Sequence, residues 1–194
     1  MDKPTFISNL QLLNDVLRFQ APLGQRYILC GGLLLGYMRE ADVIEHDCAD
    51  ADFFLSWRDE EMLLQSVQAL KNNGFVPMYS WKNNAGETCE YTFVKDEQKF
   101  EFFIYRAVPK LTMNFWWDWT TFSFAPDTQL ARRVSGQNLQ IITFLDRQWL
   151  APTDIRLYLH EQYGDWRTPN KEYNYVESPC NIAKYPWTER RSWE

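Results

Sequence analysis

The sequence contains no run of about 18 apolar residues, so no transmembrane helix is expected. It also lacks a basic excess. Twenty Lys and Arg stand against 26 Asp and Glu, a formal charge of −6. A chain this acidic has no electrostatic footprint for nucleic acid or for an anionic membrane. Its four cysteines (Cys30, Cys48, Cys89, Cys180) show no CxxC spacing. They read as reduced thiols of a cytoplasmic protein, not as a zinc site or a disulfide frame. The opening Met1-Asp2-Lys3-Pro4 lacks the basic-then-apolar layout of a secretory leader. No repeat, low-complexity tract or linker divides the 194 residues. They fit one domain over 1–194, with an irregular tail from about 165. Apolar residues make up 45% and aromatics 16%, with nine Trp. That is enough to build a core without covalent staples, and the aromatic excess suits a ligand pocket.

Helical spacing of Phe6, Leu10, Leu13 and Leu17 predicts a first helix, ended by Pro22 and Gly24. Tyr27 to Cys30 reads as a buried strand running into Gly31-Gly32, followed by a short helix over 33–39. Asp52 to Trp57 reads as a strand. Residues 59–73 form the clearest helix, with Asp59 placed to cap it and Gly74 to stop it. Strands are expected over 75–81, 88–95 and 99–108, with Asp96-Glu97-Gln98 as a hairpin turn. Residues 139–150 read as a strand pair, and Thr153 as the cap of a helix over 154–163 that Gly164 ends. Strands and helices mix without a strict βαβ rhythm, which gives an α+β class with a mixed sheet flanked by helices.

The window that carries chemistry runs from Cys30 to Leu55. A buried strand ends in Gly31-Gly32, where backbone can approach a phosphate and offer its N–H groups. Twenty residues on, Asp50-Ala51-Asp52 opens another strand. Residues i and i+2 of a strand point the same way, so the two carboxylates share a face about 7 Å apart at the backbone. They repel unless a divalent cation lies between them, and an oxygen-only site beside phosphates suits Mg²⁺ or Mn²⁺. Taken singly, Asp-x-Asp is more often a solvated turn and Gly-Gly a tight turn. Glu101 lies in Lys99-Phe100-Glu101-Phe102-Phe103-Ile104-Tyr105, where a lone acid among aromatics is disfavoured. It is either a third acid for the pair or an edge-strand charge.

The order of the two elements matches the Gly-Gly then Asp-x-Asp pattern of the nucleotidyltransferase superfamily. Gly32-Leu33-Leu34-Leu35-Gly36, Arg39, Ile44, Asp47 and Asp50-Ala51-Asp52 together resemble the signature of the LicD/fukutin-type proteins. A second stretch agrees: Trp149 to Asp154, Tyr158-Leu159, then Tyr163-Gly164-Asp165-Trp166-Arg167-Thr168-Pro169. The departures are Leu33 where the family has Thr, Glu45-His46 where it has a Pro-aromatic pair, and one extra residue between Ile44 and Asp50. The resemblance implies a nucleotidyltransferase-like fold. It also implies metal-dependent transfer of a phosphorylated group, such as phosphocholine or a polyol phosphate, in modification of cell-surface glycans. The donor would be nucleotide-activated, of CDP type, and the acceptor a glycan or other hydroxyl.

On this reading Asp50, Asp52 and Glu101 are the catalytic and metal-binding acids. Gly31, Gly32 and Arg39 face the donor, and Asp47 is peripheral. Phe115-Trp116-Trp117-Asp118-Trp119 is either a packed corner or an aromatic wall, with Trp116 and Trp117 against a sugar or quaternary ammonium. His46-Asp47 before the Asp-x-Asp also resembles the antibiotic nucleotidyltransferases. That supports an alternative, addition of NMP to a small molecule such as an antibiotic. A non-catalytic binding member of the fold is the third reading.

Overall fold

Phe6, Leu10, Leu13 and Leu17 are all buried, so the first segment folds as α1 (Lys3–Gln20) with that stripe turned inward. The computed structural model describes residues 2–20, 27–83, 86–109, 117–125, 128–135, 138–179, 182–186 and 190–192. After α1 come β1 (Tyr27–Leu29), α2 (Gly31–Glu40), β2 (Asp50–Ser56), α3 (Glu60–Asn72), β3 (Val76–Lys82), β4 (Thr88–Lys95) and β5 (Gln98–Pro109). Then follow β6 (Trp117–Ala125), β7 (Thr128–Ser135), β8 (Leu139–Phe144), β9 (Arg147–Pro152), α4 (Ile155–Tyr163), β10 (Ile182–Pro186) and β11 (Arg190–Ser192). The class is α+β, as expected, with a mixed sheet flanked by helices.

The strand order is β10-β7-β6-β5-β2-β1-β9-β8, and β4, β3 and β11 branch from β5. The β2–β5 and β1–β9 pairs are parallel. Two hairpin turns, Asp96-Glu97 (φ 50° and 62°) and Leu145-Asp146 (φ 51° and 57°), place both central residues in the left-handed region. That is the two-residue turn whose twist matches the flanking strands. Asn9 of α1 holds the first turn, donating to Asp96 Oδ2 at 3.0 Å and Gln98 Oε1 at 2.9 Å.

Alternation along β2 and β5 divides the sheet chemically. Ala51, Phe53 and Leu55 lie on one face with Phe100, Phe102 and Ile104, all buried. Phe53 stacks on Phe102 at 5.1 Å and on Trp149 at 6.1 Å, and Phe6 of α1 covers Phe100 at 6.3 Å. Burial of about 1.5–3 kcal/mol per large apolar side chain makes this face the source of rigidity. The opposite face of the same strands carries Asp50, Asp52, Lys99 and Glu101. There α2 packs on β2, and Tyr158 of α4 meets Phe54 edge-on at 5.9 Å.

Local details differ from the sequence reading. The cap of α4 is Asp154, which accepts the Leu157 N–H at 2.9 Å, not Thr153. Asp59 occupies the N-cap position of α3 but makes no capping hydrogen bond, because Trp57–Asp59 is already a 3₁₀ turn entered through Ser56. The described part of the tail is not irregular throughout: β10 pairs with β7 and β11 with β3. Cys30, Cys48 and Cys89 are buried thiols, and Cys180 lies outside the described residues. No helix among the described residues is long and apolar enough to cross a membrane.

Candidate active site

Strand β1 runs antiparallel to β2 with Leu29 opposite Phe53, and the Cys30 N–H donates to the Asp52 carbonyl at 3.3 Å. The chain therefore turns into α2 directly beside the start of β2. Parallel pairing sets Asp50 opposite Lys99 and Asp52 opposite Glu101. The pleat points these side chains to one face, and one carboxylate oxygen from each of Asp50, Asp52 and Glu101 lies within 4.8 Å of the other two.

Both glycines are dictated by the acids. Gly31 has φ +56°, and a Cβ there would stand 2.3 Å from Asp52 Oδ2. At Gly32 a Cβ would stand 1.9 Å from Asp47 Oδ2. Only the absence of a side chain lets the first turn of α2 lie against two carboxylates. The Gly31 N–H is engaged, donating to the Tyr158 hydroxyl at 2.9 Å. The turn thus differs from the expected pair of N–H groups both offered to phosphate.

Burial acts on every acid here, and the charge of neighbouring carboxylates adds to it at Asp47, Asp52 and Glu101. Burial, and then the charge of Asp50, push Glu101 up to about 7 and Asp47 up to about 6. Asp52 is raised well above the usual carboxylate range by burial and then by Asp50, Glu101, Asp47 and Glu90. Burial also raises Asp50, against the opposing charge of Lys99. Such a set is costly to hold ionised, and a divalent cation would relieve the cost. One further feature fits a cation. Among the described residues Asp50 Oδ1 is buried and has no hydrogen-bond partner, as an oxygen that meets an ion or a water would be.

The pKa directions give a first prediction. An acid whose folded pKa is raised holds its proton more tightly folded than unfolded, so its stability contribution falls as pH rises from about 4 to its folded pKa. For Glu101 that window ends at about 7. Melts in EDTA at pH 5 and pH 7.5 should therefore show Glu101→Gln gaining on the wild type as pH rises, by several degrees at roughly 2–4 °C per kcal/mol. A difference independent of pH would contradict the assignment.

Sequence reasoning passed over several residues. Glu90 on β4 is 4% exposed, accepts from Thr92 Oγ1 at 2.8 Å, and is raised well above the ordinary range by burial and by Glu101. Tyr79 on β3 donates to Glu101 Oε1 at 3.1 Å, and Lys99 Nζ stands 3.6 Å from the same oxygen. A lone Glu in the apolar strand Thr88–Val94 was the available signal for Glu90. The tyrosines carry none, because their contacts are long-range.

Arg39 sits in the last turn of α2, eight residues from Gly31 and so about 12 Å along the axis. Its Nη2 stands 3.6 Å from Glu40 Oε1. His46 is exposed in the 3₁₀ turn Glu45–Asp47. Trp116 lies outside the described residues, and Trp117 is described only as a backbone position of β6.

A comparison with protein families matches residues 24–154 to the model described as LicD/FKTN/FKRP, nucleotidyltransferase domain. The match takes in both glycines, Asp47, Asp50, Asp52, Glu90, Glu101 and Lys99, and it stops just before α4. No curated protein matches the chain.

Proposed function

The chain belongs to the LicD/FKTN/FKRP nucleotidyltransferase-domain family, and on that premise we propose that it is a metal-dependent phosphotransferase. It moves a phosphorylated group of phosphocholine or polyol-phosphate type from a nucleotide-activated donor, CDP type first, to a glycan or other hydroxyl acceptor. The observation that carries this reading is the convergence of three carboxylates from β2 and β5 within 4.8 Å, one of them with a buried oxygen that has no partner among the described residues.

Asp50, Asp52 and Glu101 would hold Mg²⁺ or Mn²⁺, an oxygen set that leaves positions for donor phosphates. The bound ion would offset the negative charge of acids and phosphates together. The remaining work falls to the chain's own groups. Tyr79 holds the Glu101 carboxylate in place through its hydroxyl, and the sheet fixes the spacing of Asp50 and Asp52. Tyr158 ties down Gly31, and the contact of Gly32 with the donor phosphate is assigned on the sequence alone, since the Asp47 carboxylate lies against it. The acceptor hydroxyl oxygen attacks the transferred phosphorus in line, a new P–O bond forms, the bond to the departing NMP breaks, and the hydroxyl proton passes to solvent. Arg39, Trp116 and Trp117 are assigned to donor and acceptor contacts on the sequence alone. Cytoplasmic placement belongs to the same reading, with Cys30, Cys48 and Cys89 as thiols.

Donor class is tested by thermal shift with CDP- and UDP-activated donors and with NTPs, each with Mg²⁺. A ligand at 100 times its Kd adds about 2.7 kcal/mol to stability. Turnover with the donor so found should stop in excess EDTA and release free NMP. Release of pyrophosphate would favour NMP addition to a small molecule instead. Turnover unchanged in EDTA would overturn the metal-dependent reading.

A further inference from the structure

Among the described residues five carboxylates crowd one end of the sheet: Asp47, Asp50, Asp52, Glu90 and Glu101. Among the described residues, Lys99 is the only Lys or Arg within ion-pair distance of any of them. Its place is fixed by register, because β5 pairs in parallel with β2 and sets Lys99 directly opposite Asp50. From there Nζ stands 3.6 Å from Glu101 Oε1. That separation is an ion pair without a tight hydrogen bond, and the same oxygen already accepts from Tyr79. The Lys99 side chain is 44% exposed, while that of Glu101 is 11% exposed. One end of this contact is therefore fixed and the other lies at the open rim on a flexible four-carbon stem.

Deepening the metal-dependent reading above and resting on it, we infer that Lys99 is the resident counter-ion of the acid cluster. When a divalent cation enters, Lys99 gives up that role and becomes a contact for the donor diphosphate. The physical reason is competition. An ammonium beside Glu101 and Asp50 satisfies part of the field that attracts a divalent ion, and the two cations repel once both are present. The ammonium then has a nearby alternative, because the phosphates brought by the donor sit on the open side of the same acids. A lysine suits this double role better than an arginine, being a compact charge with three freely rotating donors. The bland alternative is a half-exposed ion pair contributing next to nothing.

Calorimetric titration with Mn²⁺ alone, and with inorganic pyrophosphate in saturating Mg²⁺, separates the two. Pyrophosphate is the diphosphate unit that nucleotide-activated donors share. Lys99→Met should bind Mn²⁺ about tenfold more tightly than wild type, a change of about 1.4 kcal/mol. It should bind pyrophosphate at least about tenfold more weakly, and Lys99→Arg should stay near wild type for Mn²⁺ and fall between for pyrophosphate. Circular dichroism checks that both variants fold. Equal Mn²⁺ affinity in wild type and Lys99→Met overturns the counter-ion role, and equal pyrophosphate affinity overturns the phosphate contact. A wild type that binds no Mn²⁺ overturns the metal reading itself, and this inference with it.

Discussion

Asp52→Asn and Asp50→Asn should each abolish turnover, by at least about a thousandfold or about 4 kcal/mol of transition-state stabilisation, while the domain stays folded. Each carboxylate supplies one of three oxygens within 4.8 Å, so a neutral amide leaves an incomplete cation site. Stability should hold or rise, because the change removes one of several repelling groups from a face where all are raised by burial. Melting in EDTA with no loss relative to wild type, alongside dead turnover, is the expected pair of results. Asp47→Asn should keep substantial activity. Asp47 lies in the 3₁₀ turn before β2, outside the three acids that converge, although its carboxylate covers Gly32. A dead Asp47→Asn beside an active Asp50→Asn would show that Asp47 takes the place assigned here to Asp50.

Gly31→Ala should cost both activity and stability, and more of each than Gly32→Ala. At Gly31 the backbone is left-handed (φ +56°) and the added methyl would stand 2.3 Å from Asp52 Oδ2. The left-handed conformation alone costs about 1–2 kcal/mol for an L residue. The contact falls on a carboxylate fixed by the sheet, so Asp52 must shift, and a misplacement of about 1 Å in a catalytic group costs on the order of a hundredfold in rate. At Gly32 the overlap is with Asp47 Oδ2 at 1.9 Å and the backbone is unstrained. There Asp47, on its short turn, is free to give way. Gly86→Ala is the control, with φ +80° and nothing within 4 Å of its Cβ. It should lose stability through strain alone and keep full turnover. If Gly31→Ala and Gly86→Ala behaved alike, the close approach of Gly31 to Asp52 would have no bearing on catalysis.

Much of this face is legible in the chain because strand alternation is local. Asp50 and Asp52 share a face by period alone, and Glu101 betrays itself as an acid among Phe100, Phe102 and Phe103. The same rule reaches Glu90, set among Cys89, Tyr91 and Phe93, but not its neighbour across the sheet. Which acids meet depends on β2 pairing with β5 in parallel, a contact across 49 positions that no window of sequence contains. Tyr158 is harder still, since its hydroxyl meets Gly31 across 127 positions and a helical tyrosine next to Leu159 reads as core. The caps show a smaller limit. Thr153 and Asp154 are adjacent capping residues, and only the backbone turn after β9 decides that Asp154 accepts the Leu157 N–H. The strands of the tail escape notice because β10 and β11 are five and three residues long among Pro and Arg. They are strands by virtue of the β7 and β3 edges they join.

The central claim is that Asp50, Asp52 and Glu101 hold one divalent cation, and anomalous diffraction from crystals soaked in Mn²⁺ tests it most directly. The expected result is a single strong peak within coordination distance of all three carboxylates, absent from crystals of Asp52→Asn. A wild-type crystal with no peak there, or with its peak between Asp47 and His46 instead, would contradict it.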